Sequence, residues 1–409
     1  IYRRISVAGL ALAAACSSAT DPGGGNQSPV VDNLPRPLTA TEQQLVASTN
    51  DFSLSLFRQM AAASKDSNIF SSPLSASMAL GMAMNGAAGT TLSQMRATLG
   101  YGSMSDADVN ASYRSVIALL RGLDPTTDVR IANSIWYRND FPFNQTFIDA
   151  VKPAFDAQVT PLDLKQAASV STINAWVSGA TAGKIPTILD QIKPDDVMFL
   201  INAIYFKGAW RDKFDPAETK DDTFRGVAGN QAMKLMHRHG SMKFLFRQDV
   251  SAVDLPYGNG TYSMSILLNG SGNTLDQLAA SLTPAVWNGM ASQFRDFTSD
   301  VYLPRLRLEW ERELNADLIA LGMRDAFADG VANFTRMSPL GNALVIDKVK
   351  QKTYVDVNEE GTEAAAVTSV GISVTSLPPQ VRVDRPFIMI IRERLTGTIL
   401  FMGKIVRMP

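Results

Sequence analysis

The chain has 409 residues, with 38 Lys and Arg against 39 Asp and Glu, for a net charge of −1. That balance gives no sign of a nucleic-acid partner, while a hydrophobic content of 45% in a chain this long allows a large core. A single cysteine excludes an internal disulfide framework, and two histidines leave few forms of His or Cys chemistry.

In chain order, Arg3 and Arg4 precede an apolar run over 5–15. The run has the length of a signal-peptide core and is too short to span a membrane. It ends LAAAC, with the only cysteine of the chain, Cys16, after three alanines. This resembles a bacterial lipobox, which implies removal of residues 1–15 and acylation of Cys16. The alternative is an ordinary small-residue cleavage site that abuts a cysteine. Ser17 is not the Asp associated with inner-membrane retention. The expected location is therefore the envelope, by a lipid anchor at the outer membrane, or the extracellular space. Residues 16–37 are rich in Gly, Pro and Ser and read as a flexible tether.

From 38 to 409 there is no second linker or repeat, which predicts one domain. Thr39 and Glu42 have capping-box spacing before a helix whose apolar face carries Leu45, Phe52, Leu56 and Met60. Residues 73–100 predict two helices, with Pro73 in a first turn and a break at 86–89. Segments 129–140, 197–210, 242–247, 262–270, 300–310, 385–394 and 398–408 are strand-like, and 171–185 and 314–323 are helical. Helices first, then mixed strands, predict an α+β fold with long antiparallel sheets.

No catalytic apparatus is legible. His237 and His239 share one face of a strand, but nothing adjacent in sequence completes a metal site. G-x-S-x-G, H-E-x-x-H, phosphate-loop and dinucleotide fingerprints are absent, and no cofactor or metal is expected.

The C-terminal third identifies a family. VRVDRPFIMII (381–391) resembles the serpin signature, and INAIYFKGAWRDKFDP (201–216) is similar to a second specific serpin stretch. SNIFSSPLSASMAL (67–80) and NAWVSGATAGKI (174–185) resemble further serpin segments in the family's order. The resemblance implies a serpin fold with three β-sheets, eight or nine helices and an exposed reactive-centre loop at about 359–380. It implies a monomeric inhibitor rather than an enzyme. A serine protease cleaves the loop and becomes covalently trapped as an acyl-enzyme while the loop inserts into the main sheet. A non-inhibitory serpin-fold binding or scaffold protein is the alternative.

The loop sequence suits insertion, although alone it also fits an exposed loop or a helix start running into an edge strand. Its hinge (Glu359, Glu360, Gly361, Thr362, Glu363, Ala364, Ala365, Ala366) holds no proline, and from Gly361 on its side chains are small apart from Glu363. In an inserted strand Thr362, Ala364, Ala366, Thr368, Val370 and Ile372 share one face, all neutral, whereas Glu363 falls on the other. The family's spacing places the reactive bond at Thr375–Ser376, with Val374–Thr375 as runner-up. No Lys, Arg or aromatic residue lies between Gly361 and Gln380, which points to an elastase-like or subtilisin-like target. Carried over from the family, Trp210, Arg305 and Glu359 form the breach where the loop enters, and Ser72, Ser75, Asn174 and Asn202 lie under the sheet's centre. Gln351 stands there in place of the family's usual histidine.

Overall fold

The structure is a computed structural model that describes residues 28–362 and 380–409. The expectations for Cys16, Glu363, Ala364, Ala365, Ala366, Val374, Thr375 and Ser376 concern residues outside that description.

Helix α1 (Ala40–Ala63) opens with the capping box: the Glu42 N–H donates to Thr39 Oγ1 at 3.2 Å, and the Glu42 carboxylate accepts from the Thr39 N–H at 2.8 Å. Leu45, Phe52, Leu56 and Met60 are all buried. Helix α2 (Pro73–Gly86) starts on Ser72 as N-cap with Pro73 in its first turn, and is buried nearly all round. Helix α3 (Gly89–Leu99) follows the break and ends on Gly100 in the left-handed conformation. The remaining helices are α4 (Asp106–Gly122), α5 (Gln145–Ala154), α6 (Ala168–Ala180), α7 (Leu275–Ser281), α8 (Pro284–Ala291) and α9 (Asn315–Ala320). The described residues thus hold nine α-helices, within the expected number.

One sheet has six strands in the order β10 (Leu306–Glu313), β11 (Lys350–Asn358), β12 (Gly361–Thr362), β4 (Met198–Ala209), β2 (Asp128–Arg138) and β3 (Ala157–Leu162). The other runs β1 (Ile69–Ser71), β15 (Ile399–Ile405), β14 (Phe387–Glu393), β8 (Tyr262–Asn269), β7 (Val250–Pro256), β6 (Gly229–Phe246), β9 (Arg295–Pro304) and β13 (Val381–Arg382), with β5 (Lys220–Gly226) also on β6. Three sheets were implied. The second and third form one hydrogen-bonded network, because β6 pairs with β5 and β9 and, at its end, with β7. The segment 300–310 is two strands rather than one. Pro304 closes β9, and the Arg305 N–H carries the β6 register one residue further, bonding Lys234 O at 2.9 Å, before β10 begins.

Alternation along β2 and β4 gives the six-stranded sheet two different faces. Ile131, Ile135 and Ile204 join the main core on the α2 side. Trp136 and Ile201 face the other way, into a small separate cluster with Ile173 and Val177 of α6 and with Ile185 and Ile188. Helix α6 is therefore held on by a handful of side chains. Ile173→Ala should loosen it by about 2–3 kcal/mol. The expected readout is faster amide exchange in α6 with that of α2 unchanged; equal change in both helices would show that the two clusters unfold together.

Candidate functional site

The site forms where β11 ends, turns through two glutamates and re-enters the sheet. Gly361 and Thr362 make β12, paired antiparallel on both sides: Thr362 faces Val357 of β11 and Gly208 of β4. Gly361 is required there. Its φ is +149°, and a Cβ would lie 2.1 Å from Gly208 O. The Thr362 side chain is buried, with Oγ1 2.8 Å from the Tyr257 hydroxyl. Burial pushes the Tyr257 phenol well above its usual pKa, so it remains a neutral partner. The Tyr257 ring stacks on Trp210 at 4.5 Å and 11°, and Gly208 leaves room for it, since a Cβ there would come within 2.9 Å of the ring. The Trp210 indole N–H donates to Asn358 O at 2.8 Å.

The two glutamates are both buried. Glu359 meets Arg305, whose Nη2 lies 2.6 Å from Oε1 and whose Nε donates to both carboxylate oxygens at 2.7 and 2.9 Å. Thr219 also donates to Glu359. Burial alone would raise this carboxyl, but the bonds from Arg305 and Thr219 outweigh it and hold the group below the usual carboxylate range. The break at Pro304 is what aims Arg305 here. Glu360 pairs with Lys213 at 2.5 Å.

Further down the sheet, Gln351 grips the backbone of Ser72 with both ends of its amide: Nε2 donates to Ser72 O at 2.7 Å, and Oε1 accepts from the Ser72 N–H at 3.1 Å. Ser72 Oγ donates to Leu400 O at 2.7 Å, and Ser75 Oγ to Asn202 O at 3.4 Å. Asn202 Nδ2 reaches Asn133 Oδ1 at 2.6 Å, and Asn133 in turn donates to Phe155 O at 2.6 Å. Asn174 is not in this group. It sits on α6, across the sheet from α2, where its Oδ1 accepts from the N–H groups of Ile188 and Leu189 at 2.8 and 3.0 Å. Its role is to hold the 188–189 segment beside α6, and Asn133 fills the position under the sheet that was expected of it.

Sequence reasoning missed Asn133, Tyr257, Lys213 and Thr219. Asn133 had a signal, being a polar residue in the apolar set of a strand. The other three lie in turns, where no period marks a buried partner. The histidine pair also gains a neighbour that its own segment does not contain. Asp300, facing His239 across the β6–β9 ladder, bonds His237 Nε2 at 2.8 Å and His239 Nδ1 at 3.1 Å. Among the described residues no group of three or more His, Cys, Asp or Glu is arranged to hold a metal ion.

The Glu359 geometry sets a pH dependence. Its folded pKa is depressed, so its contribution to stability is fully present above the unfolded value and is lost as the pH falls through the folded one. Arg305→Ala should lower the thermal midpoint near pH 7, at a cost of about 1–2 kcal/mol for a pair exposed on one side only. The difference from wild type should shrink as the pH drops below about 4. A difference that does not change with pH would show that Arg305 acts through packing rather than charge.

Comparison with known proteins agrees with this geometry. The family model described as Serpin (serine protease inhibitor) matches residues 47–408. Serpin B11 of Homo sapiens is 32% identical over 381 residues, covering 87% of this chain and 97% of its own. Leukocyte elastase inhibitor A of Rattus norvegicus is 32% identical over 381 residues, covering 89% and 99%. The crystal structure of tengpin, a thermophilic serpin, in its native state superposes with a TM-score of 0.80 at 30% identity, over 93% of this chain and 97% of that one. With a model match across the whole body and a shared fold, the chain belongs to the serpin family.

Proposed function

We propose that the chain is a suicide-substrate inhibitor of an elastase-like or subtilisin-like serine protease. The observation that carries this reading is β12. Gly361 and Thr362 are paired on both sides, between β4 and β11, and elsewhere those two strands pair with β2 and β10 among the described residues. The first step of a new central strand is thus already in register. In an inserted strand that continued the two-residue period from buried Thr362, Ala364, Ala366, Thr368, Val370 and Ile372 would lie on the core face and Glu363 off it.

In this reading the protease serine attacks the carbonyl carbon of Thr375. The Thr375–Ser376 bond breaks, the new amine of Ser376 takes a proton, and an ester links Thr375 to the protease. Water can hydrolyse that ester, or the loop can insert first and carry the protease across the molecule. At a net of about 1 kcal/mol per backbone hydrogen bond, a full added strand supplies on the order of 15 kcal/mol. The name of leukocyte elastase inhibitor A fits a loop without Lys, Arg or aromatic residues. For localisation we propose export with a lipid anchor at Cys16, resting on the LAAAC segment alone.

Incubation with an elastase-like serine protease should give a covalent complex that survives a denaturing gel. Cleaved chain with fully active protease at every ratio tried would leave only a binding or scaffold role for the fold. Thr362→Arg should convert inhibitor to substrate, because a charge at this buried position costs several kcal/mol. Retained trapping by that variant would argue against insertion. Cys16→Ser in the exported protein should abolish partition into membranes, and unchanged partition would refute the anchor.

A further inference from the structure

The turn WRDKF, residues 210–214, grips the segment just before the hinge glycine. The Trp210 N–H donates to Glu360 O at 2.7 Å and the Phe214 N–H to Glu359 O at 2.9 Å, alongside the indole bond to Asn358 O. The turn is itself braced. The Arg211 N–H donates to Pro256 O at 2.9 Å and its Nη1 to Gly258 O at 3.1 Å. The largely buried Arg238 donates to Asp212 O at 2.9 Å and to its Oδ2 at 3.2 Å. Lys213 remains, and its ammonium lies 2.5 Å from Glu360 Oε2; the Glu360 side chain is 4% exposed and that of Lys213 39%.

We propose that Lys213 is a positioning residue for loop insertion: by holding the Glu360 carboxylate it fixes Glu360 as the pivot, so that the chain turns into the sheet at Gly361. This rests on the inhibitory reading above. A buried carboxylate without its cation turns toward water. The Glu360 backbone would then move off the Trp210 N–H, and the next residue, at a φ only glycine accommodates, would bring Thr362 in away from Val357 and Gly208. A strand that starts out of register puts its side chains on the wrong face. The acyl-enzyme is a race between hydrolysis and insertion, so a loose pivot shifts the outcome toward hydrolysis without altering the initial attack on a bond some fifteen residues away.

The test titrates an elastase-like serine protease with the full chain, as wild type, Lys213→Ala, Lys213→Arg and the double variant Lys213→Ala/Glu360→Gln. Lys213→Ala should raise the inhibitor-to-protease ratio needed for complete inhibition about tenfold, the scale of one charge-assisted contact. The rate of first cleavage should be unchanged. Lys213→Arg should restore the wild-type ratio, and Glu360→Gln should recover part of the loss by removing the unpaired charge. If wild type traps the protease and Lys213→Ala titrates identically, the pivot role is overturned. It is also overturned if Lys213→Ala lowers only the thermal midpoint. If wild type itself yields only cleaved chain, the inhibitory reading falls and this inference falls with it.

Discussion

Backbone N–H and C=O groups in the middle of a sheet must find partners, and the arrangement of this molecule follows from how β4 and β11 meet that demand. At one end the two strands are joined through β12, a strand of two residues whose hydrogen bonds run to both. Everything near that point serves to keep two residues in place. Gly208 and Gly361 let the backbones approach, Tyr257 and Trp210 stack beneath, and two ion pairs hold the preceding glutamates. Residues from β4, β11, the β9–β10 break and the 257–258 turn converge there.

The centre of the sheet is fastened differently. Gln351 ties β11 to the backbone of Ser72 with one donor and one acceptor from the same amide. An imidazole in that place would lose its acceptor on protonation, whereas an amide does not titrate. This fastening is therefore insensitive to pH between the carboxylate and lysine ranges. The acid-sensitive link among those described is at the hinge, where Glu359 depends on staying ionised beside Arg305. The two regions answer to different conditions even though they control the same pair of strands.

Local chemistry was legible in the sequence. The Thr39–Glu42 capping box, the Pro73 start of α2, the Gly100 stop of α3 and the strands over 129–140, 197–210 and 262–270 follow from caps, proline and runs of strand-forming residues bounded by Gly, Asn and Pro, and each stands within a few residues of its expected bounds. Register between distant segments was not legible. Within 300–310 Pro304 alone hints at a division, and nothing there names the partner of Arg305, a glutamate 54 residues later. The first half of β6, GNQAMKLMH, is mostly small or polar and carries little strand signal of its own, and it is stabilised by pairing with β5 and β9. Asn174 was placed under the sheet because it adjoins the right motif. The side of the sheet on which α6 lies decides otherwise, and that is a tertiary fact.

The energetics of the hinge explain why small contacts there matter. Each of its pairs is worth only about 1 kcal/mol or somewhat more, against a strand addition worth on the order of 15 kcal/mol. If the loop inserts as proposed, such contacts are too small to make the uncleaved arrangement the global minimum. They bear on the barrier, where 1.4 kcal/mol is a tenfold change in rate. For an inhibitor whose outcome is a race between insertion and hydrolysis, that is the relevant scale. On the proposed inhibitory reading, the pairing of Arg305 and Lys213 with the two glutamates before a two-residue strand would be a matter of timing, with their charges set where the first movement would begin.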